Sequence, residues 1–205
     1  MNEETESPPT VMLLSPARLD GKRGRMLLDP SADFPLARKL RSPEGAPLGT
    51  LFGFVSGLYF RGKASYAALF ARPYQKPPGE LVICAGGGLC PLDEPVTLAR
   101  LKGWAGVAIH EHNPHFTAPL QRHAAALLDR HEPSTRFVLL GSIATHKYVA
   151  PLLEVFGNRL LYPTEFVGRG DMSRGALLLG AVRERRELDY QPVSSSAAGY
   201  QDVGR

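Results

Sequence analysis

The sequence predicts a single α/β domain, a mostly parallel sheet of about five strands with helices on both faces. Short apolar runs at 11–14, 81–84, 106–109, 137–140 and 159–162 lack strand-like polar alternation, which is typical of strands covered on both faces. Stretches with helical periodicity separate most of these runs, and repeated strand–helix order favours a parallel sheet. The length of 205 residues suits one domain.

Glycine and proline mark the boundaries of the predicted elements. The first run ends at Ser15-Pro16, because proline cannot donate a ladder hydrogen bond. Residues 18–25 are interpreted as a basic loop. The domain is expected to span 11–192, between a flexible lead-in at 1–10 and a loosely ordered tail at 193–205. Helices are expected at 32–41, 48–60, 63–71, 119–130, 147–156 and 176–182.

Composition excludes several classes of protein. The 43% hydrophobic content is too high for a disordered chain, and no apolar run reaches the roughly 18 residues of a membrane span. The polar start is unlike a secretory signal, and two cysteines cannot build a disulfide framework. We therefore expect a cytoplasmic protein without a membrane partner. A net charge of only +4 argues against extensive contacts with duplex DNA.

The loops that follow the apolar runs are the candidate site, because open parallel sheets bind ligands at the carboxyl ends of their strands. Four of these five loops combine glycines or hydroxyl groups with basic side chains, a composition that suits anions. The loop at 141–147 fits best, although it lacks P-loop spacing, and 86–88 lacks a dinucleotide fingerprint. The predicted phosphate-binding residues are Ser15, Arg18, Lys22, Arg23, Gly87, Gly88, Asn113, Ser142, Thr145, Lys147, Arg169, Ser173 and Arg174.

Two carboxylates are the candidate catalytic groups. Asp171 lies between Arg169 and Arg174 in the sequence. It would orient an arginine that binds phosphate, or act as a base. Alternatively, Asp171 or Ser173 would cap the N-terminus of the following helix. Asp93 follows the triglycine turn and could hold magnesium or a sugar, or belong to a solvated loop.

A histidine cluster offers a metal alternative. His110, His112 and His115 could supply three ligands, or they could bond a loop or contact a ligand. No cofactor is predicted, with magnesium or zinc as the alternatives. Cys84 is interpreted as a buried structural residue and Cys90 as a remote nucleophile candidate. The 59–66 stretch interleaves aromatic and basic residues, which suits base stacking or helix packing.

Short segments resemble a known family. Ser15-Pro16-Ala17-Arg18 is similar to the Ser-Pro-Ala-Lys start of the YaaA-type peroxide-stress proteins, with Arg18 in place of lysine. Residues 61–63, followed by Tyr66, resemble that family's Lys-Gly and Tyr segment. The middle of the chain, around 88–93, resembles small α/β proteins of nucleic-acid and nucleobase modification systems. The resemblance implies binding of DNA or nucleotides, with the basic N-terminal loop at the site.

These patterns predict a protein that binds a phosphate-bearing ligand, a nucleotide or nucleic acid, at the carboxyl edge of its sheet. If it is an enzyme, hydrolysis or transfer at a glycosidic or phosphate bond is the expected reaction class. The alternatives are a metal-dependent hydrolase built on the three histidines and a non-enzymatic interaction module. Whether the protein is an enzyme and which oligomeric state it adopts stay open.

Overall fold

The computed structural model describes residues 7–73 and 78–193, and eight strands and eight α-helices lie in these ranges. The strands are β1 (Thr10–Leu14), β2 (Ala46–Pro47), β3 (Glu80–Cys84), β4 (Gly88–Pro91), β5 (Pro95–Val96), β6 (Arg136–Leu140), β7 (Leu160–Pro163) and β8 (Tyr190–Pro192). The helices are α1 (Lys22–Leu28), α2 (Pro35–Arg41), α3 (Leu48–Ser56), α4 (Leu58–Phe70), α5 (Leu98–Ala105), α6 (Pro114–Arg130), α7 (His146–Phe156) and α8 (Asp171–Glu184).

A six-stranded sheet in the order β4–β3–β1–β6–β7–β8 forms the centre of the molecule. The four inner strands are parallel, and Leu13 of β1 pairs with Leu81 on one side and Leu139 on the other. The two outer strands, β4 and β8, are antiparallel to their neighbours. The predicted α/β class with a mostly parallel sheet is confirmed. The short strands β2 and β5 form a separate two-stranded sheet.

Helices cover both faces of the sheet, which explains why its inner strands are apolar throughout. Met12 and Leu14 point into a core with residues of α3 and α4, whereas Val11 and Leu13 point into a second core with residues of α6 and α7. All four side chains are inaccessible to solvent. In the described ranges, no helix combines the length and apolarity that crossing a membrane requires.

Two sequence-based predictions about strands are wrong, and four short strands were not predicted. Residues 106–109 are not a strand: Gly106 ends α5, and the half-buried Val107 and Ile109 pack against the second core without a strand partner. The unpredicted strands are the edge strands β4 and β8 and the separate pair β2 and β5, which are all short and contain proline. Thr10 belongs to β1 rather than to a flexible lead-in.

The boundaries of several helices also differ from the prediction. The predicted helix at 48–60 breaks at Gly57, whose φ of 61° favours glycine, and α4 then runs on to Phe70. Lys22 and Arg23 lie in α1 rather than in a loop. α8 begins at Asp171, five residues earlier than expected, so the residues from Asp171 onward are helical.

The predicted ends of the domain fall partly outside the described residues. Val193, expected at the start of a loose tail, is buried, and its N–H donates to the Leu160 carbonyl at 2.8 Å. The remainder of the predicted tail, 194–205, and the start of the lead-in, 1–6, lie outside the described residues.

Candidate functional site

The order of the strands creates a crevice between the carboxyl ends of β1 and β6. The chain passes from β1 to β3 on one side and then crosses to β6 on the other side of β1. Connections that diverge in this way leave a ligand-binding crevice at the switch point. The residues that follow these strands are Ser15 and Gly141. A Cβ at Gly141 would lie 3.0 Å from the Ser15 Cβ, so any side chain there would crowd Ser15.

Two adjoining cavities open at this crevice. The first, which we call the polar lobe, has a volume of about 470 Å³, and its walls include Ser15, Arg18, Tyr59, Ser142, Lys147 and Asp171. The second, the apolar lobe, has a volume of about 390 Å³, and its walls include Leu19, Phe52, Ala85, Trp104, Val107 and Ile109. Both lobes share walls from residues 16–18, Asp20, Lys147 and Tyr148.

A buried lysine lies directly behind Ser15. The Nζ of Lys63 donates to the Ser15 Oγ at 2.8 Å and to the Ser15 carbonyl oxygen. It also lies 4.4 Å from the centre of the Tyr59 ring. Burial lowers the pKa of Lys63 to about 7, with Arg174 adding to that effect and Asp171 opposing it. The cation is therefore able to exchange its proton near neutral pH.

A buried arginine approaches the same cavity from α8. The Nε of Arg174 donates to the Phe166 carbonyl at 3.2 Å, and its Nη1 lies 3.7 Å from the Asp171 Oδ1. Close packing of α8 on α4 brings it there, since a Cβ at Gly175 would lie only 2.9 Å from the Tyr59 Cα. The glycine contact therefore places Arg174 next to the polar lobe.

The hydroxyl of Tyr59 is a donor available to a ligand. It is buried in the wall of the polar lobe and has no hydrogen-bond partner among the described residues. Burial raises the pKa of Tyr59 to about 12, against the opposing effect of Arg174. The Arg174 guanidinium lies near this oxygen as a donor, so the O–H is the part of the group that is left to donate to a ligand in the lobe.

The structure brings part of the predicted site together. Arg174 lies beside the polar lobe. Five further predicted residues line it: Ser15, Arg18, Ser142, Lys147 and Asp171. At the rim, Arg18 forms a two-point ion pair with Asp20, with Nε–Oδ1 and Nη2–Oδ2 distances of 3.1 and 2.6 Å. The hydrogen bond from Arg18 lowers the pKa of Asp20.

Other predicted residues have structural contacts instead, and none of them lines either lobe. Arg23 donates to the Phe54 carbonyl from α1, and Asn113 caps α6 by accepting from the His115 N–H. Arg169 donates to the Glu165 carbonyl and to the Ser173 Oγ. The remaining residues in this group are Lys22 in α1, Gly87 and Gly88, which pack against Trp104 and His123, and Thr145, which precedes α7.

Asp93 lies at the other edge of the sheet. β4 starts opposite the carboxyl end of β3, where Gly88 pairs with Cys84, and returns to its amino end, where Pro91 pairs with Leu81. Asp93 follows this return and is separated from the polar lobe.

The side-chain cap that the sequence predicted for α8 does not form. Gly170 occupies the N-cap position, and Asp171 and Ser173 lie inside the helix.

The histidine and cysteine candidates lie outside both lobes. The His110 Nδ1 accepts a hydrogen bond from the His112 N–H, and in the described ranges no three His, Cys, Asp or Glu residues are grouped to hold a metal ion. Cys84 and Cys90 are buried in the core, where burial raises the pKa of the Cys84 thiol.

Sequence reasoning did not assign Lys63 and Tyr59 to the site. The aromatic and basic composition of 59–66 was the available signal, but it fits helix packing equally well. Comparison with known protein families, curated proteins and solved structures finds no match for this chain. The similarity to YaaA-type proteins thus stays a prediction, and the geometry of the crevice carries the functional argument.

Proposed function

We propose that the polar lobe binds the phosphate group of a nucleotide or nucleic acid. The observation that carries this proposal is a crevice at the switch point of the sheet with more positive than negative side chains around it. Three cations, Arg18, Lys147 and Arg174, face two carboxylates, Asp20 and Asp171. The buried Lys63 lies behind Ser15 and is charged only at the acidic side of its lowered pKa. Lysine and arginine satisfy phosphate oxygens through charge-assisted hydrogen bonds.

Uncharged donors around the lobe support the same ligand. The Tyr59 hydroxyl lies in the wall of the lobe near Arg174, and Ser142 lines the same lobe. The loop that holds Ser142 leads into the N-terminus of α7, where no side-chain cap is present among the described residues. The first N–H groups of a helix favour an anion. A phosphate in the lobe would supply acceptors for these donors.

Asp171 extends the proposal to a reaction. The carboxylates among the described lining residues are Asp20, which Arg18 holds, and Asp171, whose side chain is mostly exposed. A carboxylate beside bound phosphate can transfer a proton during hydrolysis or transfer at a glycosidic or phosphate bond. Asp171 is the residue that we propose for this role.

Binding measurements on a matched pair of variants test the phosphate site. Titration with inorganic phosphate and AMP is expected to show that Lys147→Ala weakens binding about tenfold, because a cation in the wall is lost. The control is Arg130→Ala, which removes an exposed cation at the end of α6, near the amino edge of the sheet. Its affinity should stay within about twofold of the unmodified protein.

Two results would refute the proposal. One is that none of the phosphate-bearing probes binds, a short oligonucleotide included. The other is an equal loss of affinity in Lys147→Ala and Arg130→Ala. A salt series then separates the two ligand classes. Affinity for an oligonucleotide should fall steeply with ionic strength, whereas affinity for a mononucleotide should fall less because it releases fewer counterions.

A further inference from the structure

The apolar lobe has a composition that a phosphate site alone does not require. The residues that line this lobe alone are all apolar, Phe52, Trp104, Val107 and Ile109 among them, whereas the walls that it shares with the polar lobe carry Arg18, Asp20 and Lys147. Small-molecule sites are typically mostly apolar pockets with a few polar groups that fix orientation. The volume of about 390 Å³ is sufficient for a compact group rather than for a single water molecule.

The backbone makes room for the tryptophan in this wall. A Cβ at Gly87 would lie 2.8 Å from atoms of the Trp104 ring, so a side chain there would displace the indole. The guanidinium of Arg100, which lies on the same helix α5, is 4.8 Å from the centre of the Trp104 ring. Trp104 is thus held in place, and only a small part of its surface remains accessible.

The apolar and polar lobes meet at a cationic border. Arg18 and Lys147 line both lobes, as does the buried Tyr148. A ligand with an anionic group in the polar lobe and a compact apolar group one short linkage away would therefore contact both cations. A free phosphate would leave the apolar lobe without a partner. A nucleoside monophosphate combines a flat base with a phosphate across one sugar.

We infer that the crevice binds a nucleoside monophosphate, with the base in the apolar lobe and the phosphate in the polar lobe. This inference rests on the proposed phosphate site and deepens it by naming the ligand class. The base would contact the edge of Trp104 and the side chains of Val107 and Ile109.

Trp104 provides a direct readout because it is the only tryptophan in the chain. Titration with AMP is expected to change its emission and to protect it from quenching by acrylamide. Inorganic phosphate and ribose 5-phosphate should compete with AMP, bind at least tenfold more weakly, and leave the emission unchanged. Binding of AMP without an emission change, or equal affinity for AMP and phosphate, would overturn the inference while leaving the phosphate site intact.

A variant in the apolar lobe separates the two lobes further. Val107→Gln places a polar amide in the apolar wall and should weaken AMP binding about tenfold without changing the affinity for phosphate. The matched control is Val167→Gln, at a valine that is 63% exposed and lines neither lobe. Equal loss of AMP and phosphate in Val107→Gln, or equal effects of the two variants, would refute the placement of the base. Failure of every probe to bind would refute the phosphate site itself.

Discussion

Replacement of Lys63 by methionine tests whether burial governs the charge of this side chain. Lys63 is 1% exposed, and its pKa falls from an ordinary 10.5 to about 7 because burial disfavours the charged form. Between these two values the unfolded chain binds a proton at Lys63 and the folded protein does not. The free energy of unfolding of the native protein should therefore rise with pH in this window.

The expected magnitude follows from the two pKa values. Each pH unit well inside the window contributes roughly 1.4 kcal/mol, and the rise between pH 7 and 9.5 is roughly 3 kcal/mol. Lys63→Met removes the titration and should lose this rise. The variant also loses the hydrogen bonds to Ser15, which lowers its absolute stability. The prediction therefore concerns the change with pH and not the absolute stability.

Urea unfolding of both proteins at pH 7, 8, 9 and 9.5 measures the difference. The tyrosines with raised pKa values, Tyr59 and Tyr66 among them, stay protonated in the folded state. Their partial ionisation in the unfolded chain near pH 9.5 is common to both proteins and cancels in the difference between them. Lys39→Met, at an exposed lysine on α2, controls for the loss of one positive charge. A difference between native protein and Lys63→Met that stays flat across this range would refute the reasoning, as would an equal effect of Lys39→Met.

Three further predictions concern the helix contact, an ion pair and the cavity. Gly175→Ala should lower the free energy of unfolding by about 1–3 kcal/mol because its Cβ has no room against α4. Gly180→Ala on the same helix has open space around its Cβ and should raise the free energy of unfolding by about 0.5–1 kcal/mol. Equal urea midpoints for the two variants would contradict this prediction. Glu187→Gln should cost about 1–2 kcal/mol in the same assay, because Arg72 loses a partly buried partner that accepts through both oxygens at 2.9 Å, and an unchanged midpoint would count against it. Asp171→Asn should strengthen phosphate binding about threefold to tenfold in calorimetric titration, since it removes a negative charge from the polar lobe, and weaker binding would show that the carboxylate is required.

The inner strands could be predicted from the sequence because their environment is uniform. Strands covered by helices on both faces need apolar side chains at every position, so 11–14, 81–84 and 137–140 read as continuous apolar runs. The run at 106–109 has the same composition but packs as a loop against a core. A short apolar run indicates burial, and it does not specify a strand partner.

The edges of the sheet gave no comparable signal. β4 and β8 are three or four residues long and contain proline, and they depend on hydrogen bonds to β3 and β7 that local sequence does not encode. The placement of Asp93 follows from this omission. Without β4, Asp93 was expected beside the triglycine turn, whereas the antiparallel return carries it to the amino edge of the sheet.

The candidate site divides in the same way. Ser15, Ser142 and Lys147 were predictable because they follow buried parallel strands, and carboxyl ends of such strands meet at one edge. Arg169 was chosen on composition alone, and its contacts with Glu165 and Ser173 hold it outside the lobe.

The sequence alone thus determined the class of fold, the inner strands and the edge of the sheet at which a ligand would bind. Each of these depends on residues that are neighbours in sequence and are buried together along one segment. Tertiary structure alone decided which charges meet there. Lys63 reaches Ser15 across 48 positions of sequence, and Arg174 reaches the cavity because a glycine lets two helices touch. Such contacts depend on the packing of distant elements, and periodicity within one segment carries no information about them.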